Sequence, residues 1–321
     1  MKSTGYLMKS GMDRSEYFKK LYFKQWVIGL SQGNIGDIIR TKTFKQDIKW
    51  LPIDLKTRFY ADPFPLSTAN GELSIIFEDF SIDKNYGNIS VMTLDKNLDP
   101  TKQKVLIDTK IHMSFPFIFQ EDNRIFVFPE SARKGNVSCY EYDSQRLELS
   151  YVTEIVRMPL YDPAILKWDG KYWLFGAIFE KRSNYKLHVF HSEKLYGPYN
   201  PLPGNPVRSG MDAIRAAGNF IIVDGNIYRP TQNCGRGYGD SITINRIANL
   251  DENNFTEAPY MEIKIDKKNL HQNNIHTIHT LNVADDLIVV DGQKWTFSLT
   301  EQWKNFRRNR RLLRESSTMA H

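Results

Sequence analysis

Short runs of apolar and aromatic residues, separated by polar turn residues, follow one another along most of the chain. Leu73 to Phe77, Arg124 to Phe128 and Lys171 to Phe175 are such runs, and each comes shortly after a polar pair that suits a hairpin turn. Runs of this length predict strands rather than helices, because they are rich in β-branched and aromatic side chains. The pattern predicts an all-β protein with few helices.

One sequence motif occurs about five times. Each copy opens with a short strand start, reaches a polar hairpin turn, and then enters an apolar strand. The copies begin at Tyr60, Ser114, Tyr161, Ile214 and His276, and their turns lie at 70–71, 122–123, 169–170, 224–225 and 285–286. A period of roughly 50 residues that holds several strands is typical of propeller blades. We therefore predict a five-bladed β-propeller.

Equivalent residues of the blades should converge on one central opening, because every copy begins at the same structural place. Asp62, Asp162, Arg215 and His276 occupy these positions in four copies, so the sequence predicts a site on the propeller axis. Residues 24–30 are predicted to close the ring by pairing with the last blade, since closure removes an exposed sheet edge. We place the propeller at 21–298, between a flexible lead at 1–20 and a basic, helical tail at 299–321.

Composition narrows the classes of function. The net charge is +6, and part of the excess lies in Phe306 to Arg314. Such a basic tail either contacts an anionic membrane surface or a partner glycosyltransferase, or is a solvated terminus; both interpretations stay open. No apolar run is long enough for a membrane span or a secretion signal, and Cys139 and Cys234 are the only cysteines, so we expect a cytoplasmic protein. Nucleic-acid binding is not expected, because the body of the chain is nearly charge-balanced and lacks a recognition motif.

Several short motifs occur in a fixed order and carry a family resemblance. They are Tyr60-Ala61-Asp62-Pro63, Phe77-Glu78-Asp79, Ser114-Phe115-Pro116-Phe117, Pro129-Glu130-Ser131, Tyr161-Asp162-Pro163, and Arg229-Pro230-Thr231-Gln232 with Tyr238-Gly239. Together they resemble the five-bladed propeller domain at the N-terminus of plant glucosamine inositolphosphorylceramide transferases, over roughly residues 55–295. The chain is also similar to bacterial proteins with this domain, which occur among surface-polysaccharide functions. It is more distantly similar to arabinanase and β-xylosidase glycoside hydrolases.

The more distant resemblance implies roles for three positions. In those hydrolases an Asp of the first blade is the general base, and an Asp of the third blade orients the substrate and tunes the acid; Asp62 and Asp162 match these positions. The general acid is a Glu that opens the fourth blade, and Arg215 stands there in this chain. Because an arginine does not release its proton in proteins, the usual acid–base pair of hydrolysis is incomplete.

An arginine at this position suits a different leaving group. A sugar phosphate leaves as an anion that needs charge neutralisation, and Arg215 and Arg229 are expected to bind it. Asp62 would then act as the base on an acceptor hydroxyl, and Asp162 and Glu130 complete the predicted catalytic set. Further substrate contacts are expected from Glu78, Gln232, Tyr238, His276 and His279. No cofactor is expected and no metal is required, although the catalytic carboxylates are oxygen donors that could hold one ion.

Three functions remain open at this point. The first is glycosyl transfer in bacterial surface-glycan biosynthesis, from a phosphate-activated sugar donor to a glycan or lipid-linked acceptor. The second is a non-catalytic carbohydrate-binding module that assists a partner glycosyltransferase, because in the plant family the propeller accompanies a separate transferase domain. The third is a glycoside hydrolase or phosphorylase whose acid lies elsewhere. We rank transfer first, binding second and hydrolysis third.

Overall fold

The computed structural model describes residues 22–68, 71–180, 184–235, 237 and 239–297, which form five antiparallel sheets. Blade one holds β3 (Arg58–Ser67), β4 (Leu73–Ser81), β5 (Tyr86–Leu94) and β6 (Pro100–Ile107). Blade two holds β7 (Ser114–Glu121), β8 (Arg124–Glu130), β9 (Val137–Asp143) and β10 (Glu148–Val156), with a 3₁₀ turn at Ala132–Lys134. The predicted five-bladed β-propeller is confirmed.

The next two blades each have an additional short strand. Blade three holds β11 (Tyr161–Trp168), β12 (Lys171–Phe179), β13 (Tyr185–Ser192), β14 (Asn200–Pro201) and β15 (Arg208–Gly210). Blade four holds β16 (Asp212–Ala216), β17 (Ile221–Val223), β18 (Asn226–Asn233), β19 (Ser241–Leu250) and β20 (Phe255–Ile263). In every blade the first strand of the repeat is the inner one.

Blade five is assembled from both ends of the described chain. It contains β21 (Ile275–Ala284), β22 (Leu287–Phe297), β1 (Tyr22–Gln32) and β2 (Lys49–Trp50). Strand β1 pairs with β22 along its whole length, with Tyr22 opposite Phe297 and Gln32 opposite Leu287. The predicted closure of the ring is thus confirmed, whereas β2 and the helices α1 (Ile35–Thr41) and α2 (Lys267–Asn273) were not predicted.

Aromatic and aliphatic side chains fill the spaces between neighbouring blades. Phe64 of β3 contacts the rings of Phe115 and Phe117 of β7, with centroids 5.0 and 5.8 Å apart. All three rings are buried, and each buried ring stabilises the fold by about 2 to 3 kcal/mol. This packing fixes the angle between adjacent inner strands, and so determines what faces the axis.

A close backbone contact joins blade four to blade five. The Leu281 amide donates to the Ala217 carbonyl at 2.8 Å, immediately beside Gly218. Gly218 has φ +147°, and a Cβ placed there would lie 2.1 Å from the Leu281 carbonyl oxygen. Only glycine permits this approach.

The terminal segments bear on two of the sequence-based predictions. The flexible lead at 1–20 and the helical tail at 299–321 lie outside the described residues, so both stay predictions. Among the residues that are described, no helix combines the length and the apolar character needed to cross a bilayer.

Candidate active site

All five inner strands are interrupted by a β-bulge near their first residues. The register shifts fall between Ala61 and Phe64, Ser114 and Phe117, Tyr161 and Ala164, Asp212 and Ala216, and Ile275 and Ile278. Pro63, Pro116 and Pro163 lie inside these bulges, where a missing N–H does not interrupt the ladder. The repeated X-Pro motif therefore coincides with the bulge at which the inner strand of these three blades bends near the axis.

The bulged residues have unusual backbone geometry. Asp62, Phe115, Asp162 and Ala213 are left-handed, with φ of 50°, 41°, 47° and 60°. A non-glycine residue in this region is disfavoured by about 1 kcal/mol or more, so tertiary contacts must hold it there. In two blades the result is a buried aspartate at the axis.

The bulges surround an axial cavity of about 300 Å³ to which every blade contributes. It is lined by Trp26, Phe59, Ala61, Asp62, Glu78, Phe80, His112, Ser114, Glu130, Arg133, Tyr161, Arg215 and His279. Of the predicted site residues, Asp62, Glu78, Glu130, Arg215 and His279 line this cavity, and Asp162 lies against it through Arg215.

One side of the cavity is a chain of two aspartates and a histidine at the junction of blades five and one. The Asp291 carboxylate accepts from His279 Nδ1 at 2.7 Å and from the Asp62 amide at 2.9 Å. His279 Nε2 lies 3.5 Å from Asp62 Oδ1, and the imidazole stacks on Trp26 at 3.8 Å. Asp62 in turn accepts from the Phe115 amide at 3.1 Å. Asp291 therefore holds the backbone of Asp62, and Phe115 and His279 hold its side chain.

The other side of the cavity is built on an ion pair between blades three and four. Arg215 donates to both oxygens of Asp162, with Nε at 2.6 Å and Nη2 at 2.9 Å. Gln232 Nε2 donates to the same carboxylate at 3.2 Å. Arg215 Nη2 also lies 3.9 Å from Glu130, so the one guanidinium faces two acids.

Burial keeps protons on several of these acids. It raises the pKa of Asp62 to about 7, although the positive charge of His279 opposes the shift. Burial, with the charge of Asp162 added, raises the pKa of Glu130 to about 8, and burial raises the pKa of Glu78 well above its ordinary value. At neutral pH these shifts favour the protonated form of Glu78 and Glu130, whereas Asp62 is present both as the acid and as the carboxylate.

The two histidines of the cavity shift in opposite directions. Burial would lower the pKa of His279, but Asp291 and Asp62 outweigh it and raise that pKa, which favours the imidazolium. Burial lowers the pKa of His112 to about 4, and the charges of Arg133 and Arg215 add to this, so His112 is neutral. Its Nδ1 accepts from the Gly87 amide at 2.9 Å.

Three further predicted site residues, Arg229, Gln232 and His276, do not line the cavity. Arg229 is fully buried and donates to both oxygens of Glu257, at 2.9 and 2.6 Å, inside blade four. His276 stacks on Trp295 at 4.8 Å and contacts Asn274. Gln232 is buried behind Asp162 and orients it. Tyr238 lies outside the described residues.

The structure also brings in residues that the sequence analysis did not assign to a site. Four of them carry polar groups or stack on one: Trp26, His112, Arg133 and Asp291. Asp291 interrupts the apolar run that begins at Leu287, and a lone acid inside a buried strand is a signal that could have revealed it. The other three come from the closing strand and from connecting loops, which the repeat does not cover.

The donor atoms of Asp62, His279 and Asp291 lie within 4.8 Å of one another, which is close enough for a metal ion. His279 Nδ1, however, is hydrogen-bonded to Asp291. His279 Nε2 lies 3.5 Å from Asp62 Oδ1, beyond a strong hydrogen bond, so the three groups form an ion-paired chain in which one imidazole nitrogen is already engaged. We assign no metal to it.

Comparisons with known proteins agree with this architecture. The family profile described as "Glucosamine inositolphosphorylceramide transferase 1, N-terminal" matches residues 52–295. The chain is 28% identical over 209 residues to glucosamine inositolphosphorylceramide transferase 1 of Oryza sativa subsp. japonica, and 30% identical over 210 residues to that of Arabidopsis thaliana. These alignments cover 63% and 64% of this chain but 28% and 27% of the plant proteins. The chain thus spans little more than a quarter of the relatives' length.

Solved structures with a similar fold include two proteins of glycoside hydrolase family GH43. BlXynB from Bacillus licheniformis matches with a TM-score of 0.50 and 14% identity, covering 69% of this chain and 52% of that chain. A GH43 β-1,3-galactosidase with galactodeoxynojirimycin matches with a TM-score of 0.51 and 11% identity, covering 67% and 82%. At this identity the likeness extends to the fold alone.

Proposed function

Because the chain belongs to the family defined by the N-terminal domain of glucosamine inositolphosphorylceramide transferase 1, we propose that its axial cavity binds a sugar and serves glycosyl transfer. One observation carries this proposal. Three buried carboxyl groups with raised pKa, those of Asp62, Glu78 and Glu130, face one cavity that is also lined by aromatic rings.

This combination of groups suits a saccharide. A protonated carboxyl group both donates and accepts hydrogen bonds, as a sugar hydroxyl does. The rings of Phe59 and Tyr161 in the cavity lining offer apolar surface for the C–H side of a pyranose. The plant relatives carry glucosamine in their name, and we therefore propose an amino sugar first among candidate ligands.

Asp62 is the residue we propose as general base. Its pKa of about 7 lies near the operating pH, where a base is most effective. The neighbouring His279 imidazolium would keep Asp62 ionised before the reaction. The Asp62 carboxylate would then take the proton of the acceptor hydroxyl while that oxygen bonds to the anomeric carbon and the donor phosphate leaves. Asp162 would act through Arg215, by holding its guanidinium.

The phosphate of an activated donor needs a cation at the cavity. Two nitrogens of Arg215 already donate to Asp162, so Arg215 is partly neutralised. Arg133 lines the same cavity and has no ion pair within the described residues. We therefore propose that a donor phosphate contacts Arg133, and that the guanidinium of Arg215 in the same cavity wall adds positive charge beside it.

A binding module without catalysis is the second candidate. It is favoured by the length of the relatives, because the matched region covers only 27–28% of proteins that are named transferases. In this case the propeller would hold a glycan for a partner enzyme. Hydrolysis or phosphorolysis ranks third; Glu130, which is protonated at neutral pH, would be its acid.

Titration calorimetry with glucosamine, N-acetylglucosamine and their nucleotide diphosphate forms, followed by turnover assays, tests this proposal. We expect Asp62→Asn to keep sugar binding within about threefold and to abolish transfer. Asp122→Asn, in a hairpin turn at the far end of blade two, is the matched control. Binding by the wild type without any turnover supports the module instead. An absence of binding to every sugar contradicts both.

The acceptor and the place of action are further proposals. We propose a glycan or lipid-linked acceptor of a bacterial surface polysaccharide, and a cytoplasmic location at the inner face of the membrane. The buried, unpaired Cys139 and Cys234 support a reducing compartment, and the basic segment 306–314 supports contact with an anionic surface or a partner glycosyltransferase.

A further inference from the structure

The two ends of the propeller differ in charge. We call the end where the inner strands begin, and where the axial cavity opens, the cavity face. The first hairpin of each blade lies at the opposite end, which we call the far face. The hairpin turns of the far face include Asp122, Asp169, Asp224, Asp285 and Asp286. Asp224 is paired with Arg40 at 3.0 Å, whereas the other four form no ion pair within the described residues. Unpaired acidic groups therefore lie around the far end of the axis.

Loops of the cavity face contain both acids and bases, and several of the bases lie beside the cavity. Lys110 lies in the loop between β6 and β7, and Arg133 and Lys134 lie after β8. Within the described part of the chain none of these three side chains forms an ion pair, whereas Lys84 on the same face pairs with Asp108 at 3.5 Å. Arg133 lines the cavity, as does His112, which is two residues from Lys110. The free cations thus flank the cavity opening.

Large apolar side chains are exposed next to these cations. Ile111, Phe179 and Phe297 are 40%, 48% and 54% exposed, and all three lie at the cavity face. Phe179 contacts Tyr185, whose ring packs on Tyr161 of the cavity. The apolar residues are therefore distributed around the same opening.

The chain beyond the described residues continues from this face. Strand β1 begins and β22 ends there, because Tyr22 pairs with Phe297. The sequence next to these points holds Lys19 and Lys20 on one side and the Arg-rich segment 306–314 on the other. Two basic stretches are thus attached to the face that carries the unpaired cations.

We propose that the cavity face docks onto an anionic lipid surface, so that the axial cavity opens towards the membrane. Lysines and arginines near such a surface are attracted by its negative potential, and exposed apolar side chains add binding by entering the headgroup region. The acidic far face is repelled and turns towards water. The inference deepens the proposed function, because it names the surface that presents a lipid-linked acceptor, and it does not depend on the identity of the sugar.

Co-sedimentation of the full chain with lipid vesicles tests this orientation. Vesicles of phosphatidylcholine alone are compared with vesicles that also contain phosphatidylglycerol, each at low and at high salt. We expect binding to the anionic vesicles, weakened by salt, and little binding to the neutral ones. Equal binding to both kinds of vesicle, or none to either, overturns the proposal.

Paired variants with the same chemistry distinguish the two faces. The double variant Lys110→Glu, Ile111→Ser should lower the partition coefficient on anionic vesicles about tenfold, since it reverses one charge and removes one apolar contact. The control Lys194→Glu, Tyr196→Ser makes matching changes at the far face, where Tyr196 is 38% exposed, and should bind like the wild type. An equal loss in the control contradicts the orientation.

The basic tail is tested separately. Replacing the five arginines of 306–314 by glutamine should weaken binding without abolishing it. If that variant loses all binding while the Lys110, Ile111 variant loses none, the tail alone binds lipid and the cavity face does not dock. Sugar affinity without vesicles should be unchanged in every variant, so failure of the sugar assignment and failure of this inference give different results.

Discussion

The carboxyl group of Glu130 should make the protein less stable at neutral pH than an uncharged replacement would. Burial and the charge of Asp162 raise the pKa of Glu130 from its ordinary 4.5 to about 8. Between these pH values the folded state keeps a proton on Glu130 that the unfolded chain releases. The free energy of unfolding therefore falls as the pH rises from 4.5 to 8. Glu130→Gln does not titrate and should remove this dependence.

The magnitude follows from the size of the pKa shift. One pKa unit corresponds to about 1.4 kcal/mol, so keeping Glu130 protonated costs roughly 3 kcal/mol at pH 7 and little at pH 5. The substitution disturbs only two long interactions of the Glu130 carboxyl group, at 3.5 Å from the Asp162 amide and 3.9 Å from Arg215. We expect Glu130→Gln to be about 2 to 3 kcal/mol more stable than the wild type at pH 7.

Urea denaturation of both proteins at several pH values between 5 and 8 measures this difference. The control is Glu141→Gln, which removes an exposed acid paired with Arg124 at 2.6 Å and whose pKa is lowered by that hydrogen bond. It should lose a little stability instead of gaining any. A gain for Glu130→Gln that stays constant across this pH range would refute the reasoning.

Three further substitutions test the assembly of the blades. Arg229→Met should cost about 2 to 4 kcal/mol in urea denaturation, because it removes the bidentate partner of the buried Glu257 carboxylate and leaves that carboxylate to Arg208 at 3.1 Å. The double variant with Glu257→Leu should recover most of this, since Arg208 is partly exposed, and a fully stable single variant would contradict the role. Gly218→Ala should lower the Tm by about 10 °C, since its Cβ meets the Leu281 carbonyl; an unchanged Tm would disprove that contact. Asp291→Asn should lower the free energy of unfolding by about 2 kcal/mol, because it weakens the hydrogen bonds to Asp62 and His279. It should also speed amide hydrogen exchange at the junction of blades five and one. Unaltered exchange there would contradict the role of Asp291.

Much of the architecture was predictable because each blade is a local structure. A hairpin depends on its turn residues and on the apolar strands beside it, so Asp169-Gly170 and Asp224-Gly225 marked the inner hairpins correctly. The closing strand was also predictable, because a ring of sheets must remove its last edge. Strand β2 was missed, since two residues, Lys49 and Trp50, carry no pattern.

Site residues at a repeat position were predicted correctly, whereas a residue outside it was not. Asp62 and Asp162 occupy the bulge of the repeat, and a repeat position implies a place at the axis. Arg229 carries the same charge as Arg215, yet it points into blade four and meets Glu257. Nothing in the local sequence separates the two arginines, because the partner lies on a strand that follows much later in the chain.

The sequence by itself determined the number of blades, their hairpins and the residues at each strand start, because these depend on alternation and turn chemistry within about 50 residues. Only the tertiary structure decided that Asp291 anchors His279 and Asp62, that Asp162 occupies Arg215, and that the acids of the cavity hold protons. Each of these depends on distances and burial between different blades. Such quantities come into existence only when the ring is closed and water is excluded from its axis.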